Sequence, residues 1–139
     1  MKARVFLDTN VLIYAVAARE RNPAEYAIAR DIISNDDFEV SPLILGEFYS
    51  IARKAQHELM SAAQANTWIK EWEMHCNVYI DPPLINAAMF IRERFGTQFW
   101  DSAHIAAADR LGLKTLYSQD MSHGQKYGSV TVINPFKAV

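Results

Sequence analysis

Val5-Phe6-Leu7-Asp8-Thr9-Asn10 sets a short apolar run against a carboxylate, a hydroxyl and an amide in immediate succession. A run this brief that stops at polar, turn-forming residues reads as a buried strand whose carboxyl end opens into a helix. A helical pattern, Val11–Ala18, follows at once. The same alternation continues outward. Short strand-like runs are predicted at Phe38–Ser41, Asn77–Ile80, Thr115–Ser118 and Ser129–Ile133. Helix-length patterns occupy Pro23–Ser34, Leu43–Gln56, Ala62–Met74, Pro83–Arg94 and Asp101–Leu111. Strands separated by helices are βαβ units, and they imply a parallel sheet covered on both faces.

The helix ends support this reading. Ser41-Pro42 supplies a hydroxyl cap and a proline at the first helical position. Ile44, Leu45, Phe48, Ile51, Ala52 and Ala55 then keep the three-four spacing of one buried face. Pro82-Pro83 closes one segment and opens the next helix. Gly112 stands just past Leu111, where a left-handed residue ends a helix. Ala103, Ala106 and Ala107 give the last long helix a small face that can approach a sheet closely.

The 139 residues are read as one domain, residues 1–139, large enough for a real core. Half the residues are apolar and 22% are charged, an ordinary globular composition. With 14 Lys+Arg against 16 Asp+Glu, the net charge of -2 carries no basic signature of nucleic-acid binding. The single cysteine, Cys76, excludes an internal disulfide framework and a cysteine-based zinc site. No apolar run approaches the roughly 18 residues of a membrane span. Met1-Lys2-Ala3-Arg4 leads straight into the first strand, unlike a signal peptide. A soluble, cytoplasmic protein is expected.

Four acids occupy positions that composition does not require. Asp8 follows the first strand, Glu47 lies in the helix after the second, Asp101 opens the last long helix, and Asp120 follows the fourth strand. In a parallel α/β sheet, strand ends and the starts of the next helices share one edge, where ligands bind. If the first and fourth strands are neighbours, Asp8 and Asp120 meet there, and Glu47 and Asp101 can join them. Converging carboxylates repel one another unless a cation joins them. All-oxygen ligands without histidine or cysteine suit a hard divalent ion, Mg²⁺ or Mn²⁺, which can activate water against a phosphodiester.

Each acid also has an ordinary explanation when taken singly. Asp8 can cap a helix, Asp101 can favour a helix N-terminus, and Asp120 can belong to a turn. Glu47 sits about 60° off the centre of its apolar stripe, where a solvated acid also belongs. Their joint placement is the signal. His57, His75, His104 and His123 show no metal-ligand spacing as a set, and Asp101-x-x-His104 reads as a packing contact. Trp68, Trp72 and Phe99-Trp100 read as core or partner surface rather than base-stacking residues. Asp36-Asp37 reads as a solvated turn, and Arg53-Lys54 and Arg92/Arg94 as helix-surface cover.

The ordered set Val5-Phe6-Leu7-Asp8-Thr9-Asn10, Ser41…Glu47, Phe99-Trp100-Asp101-Ser102-Ala103-His104 and Leu116-Tyr117-Ser118-Gln119-Asp120 resembles the PIN-domain signature. The ending, Asp120-Met121-Ser122-His123-Gly124 through Val130–Phe136, resembles the VapC toxins of type II toxin–antitoxin systems. That resemblance implies a three-layer α/β/α sandwich around a parallel sheet of about five strands. It also implies a Mg²⁺- or Mn²⁺-dependent endoribonuclease with Asp8, Glu47, Asp101 and Asp120 as its acidic quartet. Thr9 and Ser118 would be hydroxyls that orient carboxylates or waters. Many relatives carry Thr at the position of Ser118, and an acid at that of Gln119, which leaves this site one charge poorer. The implied partners are an RNA substrate, a VapB-type antitoxin and a second copy of the chain, with no membrane.

Setting aside the four site acids leaves 12 acids against 14 bases, so the rest of the protein is mildly cationic. A near-neutral total is therefore compatible with an RNA substrate. The competing readings are a structure-specific DNA nuclease, a catalytically inactive RNA-binding PIN domain and a phosphoacceptor signalling domain. The first would carry more acids and helical insertions. The second is disfavoured because all four acids are present. The third needs a Lys after the last strand, where Ile133-Asn134-Pro135 has none.

Overall fold

The computed structural model describes residues 4–137, apart from the side chain of His57. Residues 1–3, read above as the lead into the first strand, lie outside that range. Strand β1 (Arg4–Leu7) passes through Asp8 into helix α1 (Thr9–Ala17), and α2 (Pro23–Asn35) returns to β2 (Asp37–Glu39). Helices α3 (Pro42–Ala52), α4 (Ala62–Trp72), α5 (Pro82–Phe95) and α6 (Phe99–Arg110) follow. Strands β3 (Thr115–Tyr117), β4 (Lys126–Tyr127) and β5 (Val130–Ile133) close the chain.

The sheet runs β2-β1-β3-β5-β4. Phe6 and Leu7 point to opposite faces of β1 and both are fully buried, so helices cover the sheet on both sides. This is a three-layer α/β/α sandwich. From β1 the chain first moves to β2 on one flank and only later returns to β3 on the other. The crevice beyond the carboxyl ends of β1 and β3 is thus the topological switch point, the place where such sheets bind ligands.

Two features depart from the sequence reading. Residues 77–80 do not form a strand: the only pairing nearby is an isolated bridge between Val40 and Cys76. Val78 is buried, but Tyr79 is 83% exposed and its carbonyl accepts from Arg110, so the segment crosses the edge instead of extending the ladder. The fifth strand is β4, which pairs antiparallel with β5 through Tyr127↔Val130 and makes the sheet mixed. Gly128-Ser129 joins them, with Gly128 at φ 66°. A Gly-Ser pair followed by a short apolar run is a hairpin signal that the sequence reading above did not use.

Several boundaries follow local chemistry. Ser41 caps α3 by accepting from the Ile44 N–H at 3.3 Å, and Ser61 caps α4 with Gln64 in a reciprocal capping box. Helix α3 ends at Ala52, four residues short of the expected Gln56, because Arg53 turns back to bond Glu58 and the Met60 carbonyl. Asp36-Asp37, read as a turn, leads directly into β2. Helix α6 starts two residues early, at Phe99, and buries every residue from Ser102 to Ala108. Its alanines surround it rather than forming one face, which lets a helix pass through the core.

Gly112 has φ 72°, and nothing lies within 4 Å of where a Cβ would stand. Gly112→Ala therefore meets no clash and pays only for the left-handed backbone. A loss of about 1 kcal/mol is expected in urea titrations, with the slope unchanged.

Candidate active site

The fixed point of the site is Asp8. It is 4% exposed, and its Oδ1 accepts the Thr9 N–H at 2.7 Å while its Oδ2 accepts the Ser118 hydroxyl at 2.7 Å. The backbone is held equally well, since the Asp8 N–H donates to the Tyr117 carbonyl at 2.9 Å. The β1–β3 ladder thus runs on past its named strands and delivers Asp8 and Ser118 side by side. Ser118 Oγ in turn accepts from the Asp120 N–H at 3.3 Å and so shapes the turn that carries Asp120.

Helices bring in the rest. Glu47 lies on the open side of α3, on the turn before the buried Phe48, and its side chain is 45% exposed. Asp101 is half-buried in the first turn of α6. One turn later His104 is almost completely buried, with Nε2 at 2.8 Å from Glu47 Oε1 and 3.9 Å from Asp8 Oδ1. Ligand atoms of Asp8, Glu47 and His104 all lie within 4.8 Å of one another. Asp101 and Asp120 stand outside that tightest group but within reach of its charges.

Those charges leave their mark. Burial raises the Asp101 carboxyl above its ordinary range, and the charges of Asp8, Asp120 and Glu47 add to the rise, with His104 opposing it. Asp120 reaches solvent at its surface yet is crowded on its inner side. Loss of water there raises it first, Asp8 and Glu47 raise it further, and a hydrogen bond with Asn10 partly offsets them. For His104, burial alone acts downward. The Glu47 hydrogen bond and the charges of Asp8, Glu47 and Asp101 outweigh it and hold the imidazole above its usual value.

A divalent ion fits these residues. The Asp8 and Glu47 carboxylates come within 4.8 Å of each other, near enough for small side-chain adjustments to close round one ion. The buried Thr9 Oγ1 and His104 Nδ1 have no hydrogen-bond partner, and Thr9 adjoins Asp8. The raised carboxyls lack a neutralising charge equal to their own number. An oxygen-rich set of this kind prefers a hard cation.

The PIN domain family model matches residues 5–127. The chain belongs to the PIN domain family. No curated protein sequence matches it. Solved structures share the PIN fold at low identity. A toxin–antitoxin complex from Klebsiella pneumoniae is 16% identical, with a TM-score of 0.69 over 94% of this chain and 97% of that one. FitAcB from Neisseria gonorrhoeae is 18% identical, with a TM-score of 0.65 over 96% and 99%. VapC20 from Mycobacterium tuberculosis, described as a sarcin-ricin loop cleaving toxin, is 16% identical, with a TM-score of 0.62 over 84% and 89%.

Against the sequence reading, the PIN fold brings Asp8, Glu47 and Ser118 into one place, with Asp101 and Asp120 around them. Thr9 is buried at the start of α1. His104 is the correction: it was read as packing and instead bonds Glu47. Its signal was the i, i+3 spacing from Asp101, which puts both on one helix face. Gln119 accepts from the Tyr14 hydroxyl at 2.9 Å and is committed to packing α1. Of the aromatics, Trp72 is core, stacked with Trp68 and edge-on to Phe48, whereas Trp100 is 47% exposed beside the acids.

The crowding predicts a stability change. Burial and the charges of Asp8, Asp120 and Glu47 raise the Asp101 carboxyl against the opposing charge of His104. A raised carboxyl pKa contributes stability below the ordinary value that is lost as pH rises through the raised one. In chelator, Asp101→Asn should therefore match wild type near pH 4 and exceed it in stability at pH 7. Added Mg²⁺ should raise the wild-type melting temperature more than that of the variant. Equal melting temperatures in all of these conditions would show that the acids do not interact.

Proposed function

We propose that the chain is a metal-dependent endoribonuclease, the toxin of a VapBC-type toxin–antitoxin pair, working in the cytoplasm as a single PIN unit and a homodimer. The observation that carries this reading is the convergence of Asp8, Glu47, Asp101 and Asp120 on the switch point of a PIN fold, with no nucleophilic side chain among them. The RNA substrate and the VapB-type antitoxin are supported by the toxin–antitoxin complexes and the RNA-cleaving toxin that share the fold.

Asp8 and Asp101 would hold Mg²⁺ or Mn²⁺ directly, and Glu47 and Asp120 through water. Such an ion lowers the pKa of a bound water and offsets charge on the scissile phosphate. The protein's own part is positional. Thr9 N–H and Ser118 Oγ fix both oxygens of Asp8, so that carboxylate meets its ligand without reorganising. Exposed Glu47 is the acid with room to accept a proton from the attacking water, and His104 holds it in place. The mildly cationic remainder of the surface admits the polyanion.

Induction of the chain alone should arrest bacterial growth, and sequencing of RNA 5′ ends should reveal new, position-specific cuts. Asp8→Asn should abolish both while folding normally, because Asn caps α1 about as well as Asp. Growth unaffected by abundant soluble wild-type protein would remove the toxin assignment. His104→Leu should lower kcat for RNA by about tenfold or more, the scale of one lost charge-assisted hydrogen bond. His104→Gln should recover most of the loss, since its amide N–H can still reach Glu47. Equal losses in the two variants would leave His104 a packing residue after all.

A further inference from the structure

Trp100 is a large aromatic left 47% exposed, on the residue directly before Asp101. Exposure forfeits the hydrophobic gain that such a ring offers, so its position calls for a ligand. The indole is not loose. Phe99 packs edge-on to it, with centroids 4.8 Å apart and planes 80° apart. Trp100 lines a cavity of about 240 Å³ with Leu43, Gln98, Glu47 and Asp101. Two of its walls are therefore site acids, two are apolar, and one is an amide. Gln98 occupies the N-cap position of α6 but makes no side-chain capping bond, which leaves its donors and acceptor for a ligand.

A second, shallower groove shares Leu43 and Glu47 with this cavity and runs along α3 past Gly46 and Ser50 to Lys54. The two concavities meet at Glu47. A strand whose phosphate reacts at the acids thus has a cation along one arm and an aromatic face along the other.

The geometry points to a nucleobase subsite: Trp100, Leu43 and Gln98 receive one unpaired base of the nucleotide adjoining the scissile phosphate. The inference rests on the ribonuclease reading and specifies its substrate as RNA that is single-stranded or unstacked at the cut. An aromatic face takes any base by stacking, and a base held in a duplex cannot present its face to a side wall. A protein segment could fill an apolar groove too, but this cavity opens at the acids where the phosphate reacts, which puts the base of the adjoining nucleotide within its reach. Trp100 is a specificity-determining residue here, and the chemistry stays with the carboxylates.

The test uses a single-stranded oligoribonucleotide spanning a cut site mapped in cells, with and without an abasic nucleotide on either side of the cut. Trp100→Ala should raise KM by about ten- to a hundredfold, with kcat changed much less, and Trp100→Phe should recover most of the loss. Wild type should suffer a similar penalty on one of the two abasic substrates, and Trp100→Ala should suffer no further penalty on it. An identical deficit for Trp100→Ala on intact and abasic RNA, or no deficit at all, overturns the subsite while leaving the ribonuclease intact. Unchanged cleavage with lost antitoxin binding also overturns it, because the cavity is then a protein-docking surface. If wild type cuts no RNA, the ribonuclease reading falls, and the subsite falls with it.

Discussion

Asp8 is accommodated in a nearly water-free position because the parallel pairing of β1 with β3 hands it three hydrogen-bond partners at once. The ladder ties down its N–H through Tyr117, the start of α1 supplies the Thr9 N–H, and the end of β3 supplies the Ser118 hydroxyl. An isolated buried carboxylate is strongly disfavoured, whereas charge-assisted hydrogen bonds contribute about 1.5–3 kcal/mol each. The bonds come from both strands, so all of them can form only while β1 and β3 stay in register. The other acids are arranged around this fixed negative point, and their raised carboxyls record its presence.

Helix α6 answers the problem that Asp8 creates. It delivers one more negative group, Asp101, and one turn on a group that can carry positive charge, His104. The imidazole lies between Asp8 and Glu47, so it softens the repulsion of the cluster from inside. Only a helix made of small residues can reach that depth. Ser102, Ala103, Ala106, Ala107 and Ala108 are all buried, which explains why its composition shows no single apolar face.

The sheet and its edge were legible because they rest on local signals. Val5-Phe6-Leu7 stops at Asp8, Thr115-Leu116-Tyr117 stops at Ser118, and in both cases burial on two faces demands a continuous apolar run. The four acids were legible through their shared place at strand ends and helix starts. Apart from the local β4–β5 hairpin, what escaped depends on partners distant in sequence. Residues 77–80 have strand-like composition, but the Arg110 bond to Tyr79 and the Asn77 bonds to Glu39 use their polar groups another way. His104 is one residue of a polar pair whose other half, Glu47, lies on a different helix. Trp100 has the composition of core, and only the exact phase of α6 turns it outward.

That phase has a local origin. Helix α5 ends at Gly96, whose φ of 73° lets the Gly96 N–H close on the Arg92 carbonyl, and just Thr97 and Gln98 separate it from α6. Helices α5 and α6 pack against each other, so this short link fixes both the start and the rotation of α6. Successive residues on a helix are turned by about 100°, and Trp100 and Asp101 consequently form different walls of one cavity from adjacent positions. His104, one turn beyond Asp101, inherits the same setting and meets Glu47 on its buried side. The rigid half of the site is therefore the strand edge around Asp8 and Ser118, which sets where charge must be met. The variable half is the α3–α6 surface, where Glu47 and Trp100 stay exposed. Substitutions there can alter what the site accepts without touching the register that holds Asp8.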